Sequence, residues 1–334
     1  MPISEDSPSS PLDNPAGSIP SPPRERHEPL PWQTPKSAAE DPDAPLRVAA
    51  IMAHPSYREA EQDAAFLARP ESRGVRLQIE YQKPELILEQ YGVEHTIVVF
   101  GSTRIRESAA AQRRVDALLA EQQASPDDPA IARRLAVARR ILEKSRYYDI
   151  AREFGRLAGE AGQRDNRVMV MTGGGPGMME AANRGAFDAG AKTIGLNITL
   201  PHEQYPNPYL TPGLCFSFHY FAMRKLHFLR RACALVVFPG GYGTFDELFD
   251  TLALIQTRKI QPVPVILVGE AWWRQAFNID FLVEEGVIDF EDRELFWYAE
   301  SAQEIWNGLL AWHKANGTPL LPNPEGSSID ARPC

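Results

Sequence analysis

Between residues 96 and 268, short runs of β-branched and aliphatic residues alternate with longer amphipathic stretches. The runs fall at 96–100, 168–171, 193–197, 214–218, 234–238 and 263–268. Strand-length runs separated by helix-length segments are the signature of βαβ units, which set their strands in a parallel sheet with helices packed over it. The loops leaving the carboxyl ends of such strands collect on one rim, where ligands bind. Three of the runs lead straight into glycine, at Gly101-Ser102, at Gly173-Gly174-Gly175-Pro176-Gly177 and at Gly240-Gly241-Tyr242-Gly243-Thr244. Glycine lets the backbone approach an anion closely, and the helix that follows offers unpaired N–H groups and the positive end of its dipole. A tight strand-to-helix turn would account for any one of these loops. Three on one rim point to a phosphate-bearing ligand.

The expected fold class is therefore α/β, a Rossmann-like doubly wound parallel sheet with flanking helices and an N-terminal accessory helical segment. Residues 1–45 hold twelve of the 29 prolines and almost no aliphatic residues, a composition that reads as a disordered tail. Residues 46–92, helical at first and then charged and mixed, read as an accessory segment packed on the core. The main domain spans 93–320 with a helical insertion at about 108–162, and 321–334 reads as a flexible C-terminal tail. Within the insertion, Ser125-Pro126-Asp127-Asp128 marks a break between helices, because Asp or Ser caps a helix start and Pro ends what precedes it. An apolar content of 43% gives the 334 residues a real core, while a net charge of −9 argues against nucleic acid as a partner. The three cysteines show no CxxC spacing, so neither a disulfide framework nor a zinc site is indicated. No apolar run reaches the roughly 18 residues of a membrane span and no signal-peptide core is present, so the expected location is cytoplasmic, without a membrane partner.

Two familiar nucleotide fingerprints fail. Met178 stands where GxGxxG would need its third glycine after Gly173 and Gly175, and no GxxxxGK loop occurs. The TFDE at 244–247 admits two readings. Thr244 as N-cap with Glu247 three residues on would form a capping box. Alternatively, Thr244 and the Gly241 and Gly243 amides hold a phosphate, with the Glu247 carboxylate one turn in beside a sugar carbon. A carboxylate near a phosphate needs a compensating cation. The segment HYFAMRKLHFLRR at 219–231 supplies several, with Arg224, His227 and Arg231 on one helical face and Lys225 beside them.

Taken together, PGGYGTFDE at 239–247 and the upstream Arg224-Lys225 resemble the LOG (Lonely Guy) family, historically labelled lysine decarboxylases. The family pattern PGGxGTxxE is matched in full. Its MHxRK is matched in part, with Phe221 and Ala222 in place of Met and His. The segments GGGPGMMEAANRGA at 173–186 and VVFGSTR at 98–104 resemble the other two family loops, so the resemblance covers about 96–269 and is nearer to the larger bacterial proteins than to the short plant type. It implies a phosphoribohydrolase that cleaves the N-glycosidic bond of a nucleoside 5′-monophosphate, giving free base and ribose 5-phosphate, with a cytokinin riboside monophosphate, AMP or another purine or pyrimidine nucleoside monophosphate as substrate.

Under that resemblance Arg224 and Glu247 become the catalytic pair, and Gly240, Gly241, Gly243 and Thr244 the phosphate loop. Lys225 becomes a further ligand contact, and Ser102, Gly174 and Gly175 belong to the same pocket. Glu203 either contacts a ribose hydroxyl or caps a loop. Cleavage through an oxocarbenium-like state asks for a carboxylate on the sugar face and requires no metal and no cofactor. Arg224 is expected to hold Glu247 ionised through a charge-assisted hydrogen bond, or to bind the ligand directly. A pyridoxal-dependent decarboxylase needs a lysine in a supporting motif, and neither Lys225 nor Lys259 has one. The resemblance also implies a homodimer or larger homo-oligomer. The competing function is a non-catalytic carrier of a nucleotide or molybdenum cofactor, against which the retention of both Arg224 and Glu247 speaks.

Overall fold

The computed structural model describes residues 28–165, 168–201 and 205–320. Within them the β-branched runs become a seven-stranded sheet in which every neighbouring pair is parallel. The strands are β1 (His95–Phe100), β2 (Val168–Thr172), β3 (Thr193–Ile198), β4 (Cys215–Phe218), β5 (Ala232–Val237), β6 (Val265–Val268) and β7 (Trp297–Ala299). Their order across the sheet is β4-β3-β2-β1-β5-β6-β7. The chain builds outward from β1 to the β4 edge, then returns to lay β5 on the other side of β1. Strand order thus reverses between β1 and β5, the place where open α/β sheets leave a crevice for ligand. The β7 strand has no counterpart among the sequence-derived runs, since three residues, Trp-Tyr-Ala, carry too little periodicity to register.

In chain order the helices are α1 (Ala44–Ala53), α2 (Ala64–Leu67), α3 (Arg73–Gln90), α4 (Ser108–Ala124), α5 (Pro129–Glu143), α6 (Arg146–Asp165), α7 (Met178–Asp188), α8 (Phe221–Arg230), α9 (Tyr242–Gln256), α10 (Glu270–Ala276), α11 (Ile279–Glu284) and α12 (Ala302–Ala315). Helices cover both faces of the sheet, which is why its strands read as continuous apolar runs rather than alternating ones. On one face Ile97, Val99 and Val236 pack with Phe154, Ala182 and Leu309 from α6, α7 and α12. On the other, Val98, Phe100 and Val237 pack with Phe228, Leu248 and Trp273 from α8, α9 and α10. Each fully buried valine, leucine, isoleucine or phenylalanine among them contributes about 1.5–3 kcal/mol.

The insertion after β1 is the α4–α5 pair together with α6. Its break falls where the sequence places it: Asp128 caps α5, accepting from the Ala130 amide at 2.7 Å, and Pro129 takes the first helical position. Val115, Leu118, Leu135 and Ala138 close a small core of its own between α4 and α5.

The chain divides into two units, Met1–Ser72 and Arg73–Cys334, so the boundary falls inside the 46–92 segment. The described part of the first holds α1, α2 and short 3-10 turns. Asp63 caps α2, accepting from the Ala65 and Phe66 amides at 3.1 and 3.0 Å. The second unit begins with α3, an 18-residue helix in the very stretch whose charged, mixed sequence obscured it. Pro84 lies inside α3 and is buried, and an internal proline is a signal that ordinarily argues against a helix. Among the described residues no helix is long and apolar enough to cross a membrane.

Candidate active site

A cleft of about 340 Å³ opens at the carboxyl ends of β1 and β5. Three loops meet there. The Ser102 amide donates to Pro239 O at 3.0 Å, and Ser102 O accepts from the Met178 amide at 3.1 Å, so one residue ties the β1 loop to both of the others. Ser102, Arg224, Gly241, Gly243, Thr244 and Glu247 all line the cleft. Gly240, Gly174, Gly175 and Lys225 are not part of this lining, and Glu203 lies outside the described residues.

The β5 loop turns directly into α9. Gly241 is its N-cap residue, with Tyr242 and Gly243 opening the first turn. This corrects the capping-box reading of TFDE: Thr244 is the third helical residue, its own amide donating to Gly241 O at 2.9 Å. The helix starts early because Gly240 allows it. A Cβ at Gly240 would fall 2.1 Å from Thr244 Oγ1, a distance no side chain can occupy. Among the described residues the Tyr242 and Gly243 amides take no backbone acceptor, leaving two donors at the positive end of a 15-residue helix. A Cβ at Gly241 or Gly243 would meet nothing within 4 Å, so the space beside those two residues is open.

Glu247 sits in the second turn of α9 and is 7% exposed. Burial pushes its carboxyl up to about 7; Lys225 and Arg224 work to lower it, while Asp246 and Asp250 add to the rise. Near neutral pH this group therefore exchanges a proton readily, as a general acid or base must.

Arg224 does not form the expected hydrogen bond with Glu247. Its Nε donates instead to Leu196 O, within β3, at 2.7 Å, and its guanidinium stacks over the Phe228 ring with Cζ 5.1 Å from the centroid. Burial depresses its pKa, opposed by the charge of Glu247. Gly173 makes room for it, since a Cβ there would lie 2.4 Å from Arg224 Nη2. Held from behind by a backbone carbonyl, Arg224 makes no further side-chain hydrogen bond among the described residues and keeps donors for a ligand. Lys225 is engaged differently, 2.8 Å from Asp246 and 3.9 Å from Asp250. Burial works against its charge, and the Asp246 hydrogen bond with the neighbouring carboxylates outweighs that, leaving its pKa above the usual lysine value.

The other cations of the 219–231 segment serve the scaffold. Glu85 of α3 accepts from Arg230 Nε and Arg231 Nη1, both at 2.6 Å, and lies 3.1 Å from His227 Nδ1. At the opposite end of α8, the Glu80 carboxylate accepts from the His219 and Tyr220 amides. Helix α3 thus clamps both ends of α8, the helix that carries Arg224 and Lys225. Nothing in a charged, weakly periodic segment announces such a role.

A buried network fixes the β2 loop. Thr172 Oγ1 donates to Asn183 Oδ1 at 2.7 Å and accepts from the Gly174 amide at 2.9 Å. Asn207 Nδ2 donates to Asn183 Oδ1 at 2.9 Å and to Gly175 O at 3.1 Å, and its amide donates to Gly174 O at 2.8 Å. Gly174 has φ +70°, and a Cβ there would lie 1.9 Å from Asn197 Oδ1, so glycine is required twice over. By their place in the glycine loop Gly174 and Gly175 belong to the ligand pocket; in the structure their contacts are to this network. Sequence reasoning overlooked Asn183 and Asn207, although an asparagine on the alanine-rich face of EAANRGA is a visible sign of a buried polar group.

A doubly wound parallel sheet with a glycine-built crevice, an open helix N-terminus and a buried carboxylate at its switch point defines a Rossmann-like α/β protein. Residues 179–309 match the family model described as possible lysine decarboxylase. The chain is 30% identical over 167 residues to the cytokinin riboside 5′-monophosphate phosphoribohydrolase LOG3 of Arabidopsis thaliana, covering 49% of this chain and 74% of that protein. It is 30% identical over 145 residues to the probable cytokinin riboside 5′-monophosphate phosphoribohydrolase LOG4 of Oryza sativa subsp. japonica, covering 42% of this chain and 61% of the rice protein, less than two thirds of its length. The chain belongs to the LOG family. Among solved structures it is similar to the molybdenum cofactor carrier protein of Chlamydomonas reinhardtii, at 19% identity and a TM-score of 0.37, over 65% of this chain and 99% of that one. A likeness of that size says nothing about ligand.

Proposed function

We propose that the protein is a nucleoside 5′-monophosphate phosphoribohydrolase, which hydrolyses the N-glycosidic bond to release free base and ribose 5-phosphate. The observation that carries this reading is the buried Glu247, with a pKa near neutrality, one turn from the open amides of α9. The 5′-phosphate docks on the Tyr242 and Gly243 amides and Thr244, which sets the ribose over Glu247. Arg224 supplies the cation the phosphate needs. In the reaction the bond from C1′ to the base nitrogen breaks with its electron pair leaving on the base. The oxygen of a water bonds to C1′, and its proton passes through Glu247 to the base or to solvent. The ionised carboxylate stabilises the positive charge that builds on C1′. No metal or cofactor enters these steps. AMP and cytokinin riboside 5′-monophosphates are the substrates the family relationship suggests, and the same reading takes the protein as a cytoplasmic homodimer or larger homo-oligomer.

The test is incubation of the purified protein with a panel of nucleoside 5′-monophosphates, with chromatography for free base and ribose 5-phosphate. Stoichiometric release of both from at least one member is expected. Tight binding of a nucleotide without release of base from any of them would replace the enzyme with a carrier.

A further inference from the structure

Beside the cleft lies a second and larger cavity, of about 670 Å³, for which the proposed hydrolysis has no use. The inserted helices α4 and α5 build most of it, with the β1 loop and Pro176 completing the wall. Its floor is apolar, including the buried Ala111, Leu118 and Ala138. Around the floor stand five arginines, Arg104, Arg106, Arg114, Arg133 and Arg134. Thr103 and Arg104 line both this cavity and the cleft, so the two adjoin.

The charge balance of the cavity departs from that of its surroundings. On the next helices, Arg152 holds Asp188, Arg156 holds Glu153 and Glu160, and Arg184 holds Glu107. Around the cavity Glu121 alone answers the arginines among the described residues, 2.7 Å from Arg134 and 4.0 Å from Arg114. Arg104, Arg106 and Arg133 pair with no carboxylate among the described residues. Gathering like charges in one concavity costs Coulomb energy, and here it happens on a chain whose net charge is −9. A concave, cationic, apolar-floored surface focuses potential and raises the local concentration of anions. Guanidinium forks match phosphoryl oxygens in bidentate geometry, and several forks around one chamber suit a ligand with more than one anionic group.

We propose that the helical insertion forms a second phosphoryl-binding chamber beside the catalytic cleft, recognising phosphorylated small molecules through Arg104, Arg106, Arg114, Arg133 and Arg134. Either the substrate carries a second phosphoryl group that reaches the chamber, or a separate phosphorylated molecule occupies it. The chemistry of recognition is the same in both cases, and it does not depend on whether base is released in the cleft.

Calorimetric titration of the full-length protein with inorganic tripolyphosphate at low salt tests this. Two variants frame the result: Arg106→Ala/Arg133→Ala, both exposed and outside the cleft, and Thr244→Val, inside it. The expected outcome is a binding component that weakens by roughly tenfold or more in the double arginine variant and less than twofold in Thr244→Val. Absence of tripolyphosphate binding, or a component that is lost in Thr244→Val and kept in the arginine variant, overturns the proposal. Adenosine 3′,5′-bisphosphate then separates the sources. Weakening by both variants assigns the chamber to a second phosphoryl group of the substrate, whereas sensitivity to Thr244→Val alone, with tripolyphosphate still sensitive to the arginines, assigns it to a separate molecule.

Discussion

Replacing Gly173 with alanine should disable the cleft while sparing the fold. The new Cβ would lie 2.4 Å from Arg224 Nη2 and 2.9 Å from Met179 Sδ, whereas ordinary contacts fall at about 3.5–4.0 Å. The guanidinium must therefore retreat by about 1 Å. Gly173 is not among the positive-φ glycines, so alanine fits its backbone, and both crowded groups are ends of flexible side chains that can yield. A misplacement of about 1 Å in a positioning group costs up to roughly 10²-fold in rate. The expected result is a fall of roughly 10- to 100-fold in kcat/KM for a nucleoside monophosphate, equivalent to about 1.4–2.7 kcal/mol of transition-state stabilisation. The assay is steady-state base release, paired with a thermal melt expected within a few degrees of wild type. Activity within twofold of wild type at an unchanged Tm would refute the role given to Arg224.

Other outcomes follow from the same geometry. Because the Glu247 carboxyl is raised to about 7 and must be ionised to support a cation, kcat/KM should climb roughly tenfold between pH 6 and pH 8, and Asp246→Asn, which removes a charge that raises that pKa, should move the limb to lower pH; a profile flat across this range counts against Glu247. Glu85→Gln should cost about 1–3 kcal/mol at neutral pH in denaturant melts, by unclamping α8. The Glu85 carboxyl is held below its usual value because the Arg231 and Arg230 bonds outweigh its burial, so its stabilisation is present above the unfolded pKa and fades as pH falls through the folded one, where the variant and wild type should converge. Gly174→Ala, strained in backbone and 1.9 Å from Asn197 Oδ1, should lower stability by about 1–3 kcal/mol and thus contrast with Gly173→Ala in the same melt.

What could be read from the sequence was set by how local each signal is. The parallel sheet was legible because strands buried on both faces must be continuously apolar, and the glycines mark the rim on which their loops gather. The break at Asp128 was legible because capping chemistry involves only neighbours in sequence. Helix α3 was not, because its stability and its hold on α8 depend on Glu80 and Glu85 meeting partners some 140 residues away, a relation no local pattern encodes. For the same reason the sequence leaves open whether Arg224 pairs with Glu247 or binds the ligand directly. Spacing put cation and carboxylate in one site, but the carbonyl that takes Arg224 Nε belongs to a third strand. TFDE is the opposite case: of its two readings, the local capping box gives way to an α9 that starts at Tyr242, with Gly240 close against Thr244.

Everything above turns on Glu247 performing glycosidic chemistry on a nucleotide held by the head of α9. The most direct measurement is the single-turnover rate of base release for wild type and Glu247→Gln at pH 8, with nucleotide binding measured on the same samples. The expected result is a rate lowered by roughly 10²- to 10⁴-fold with the nucleotide still bound and the fold intact. A Glu247→Gln protein that releases base at the wild-type rate would contradict it.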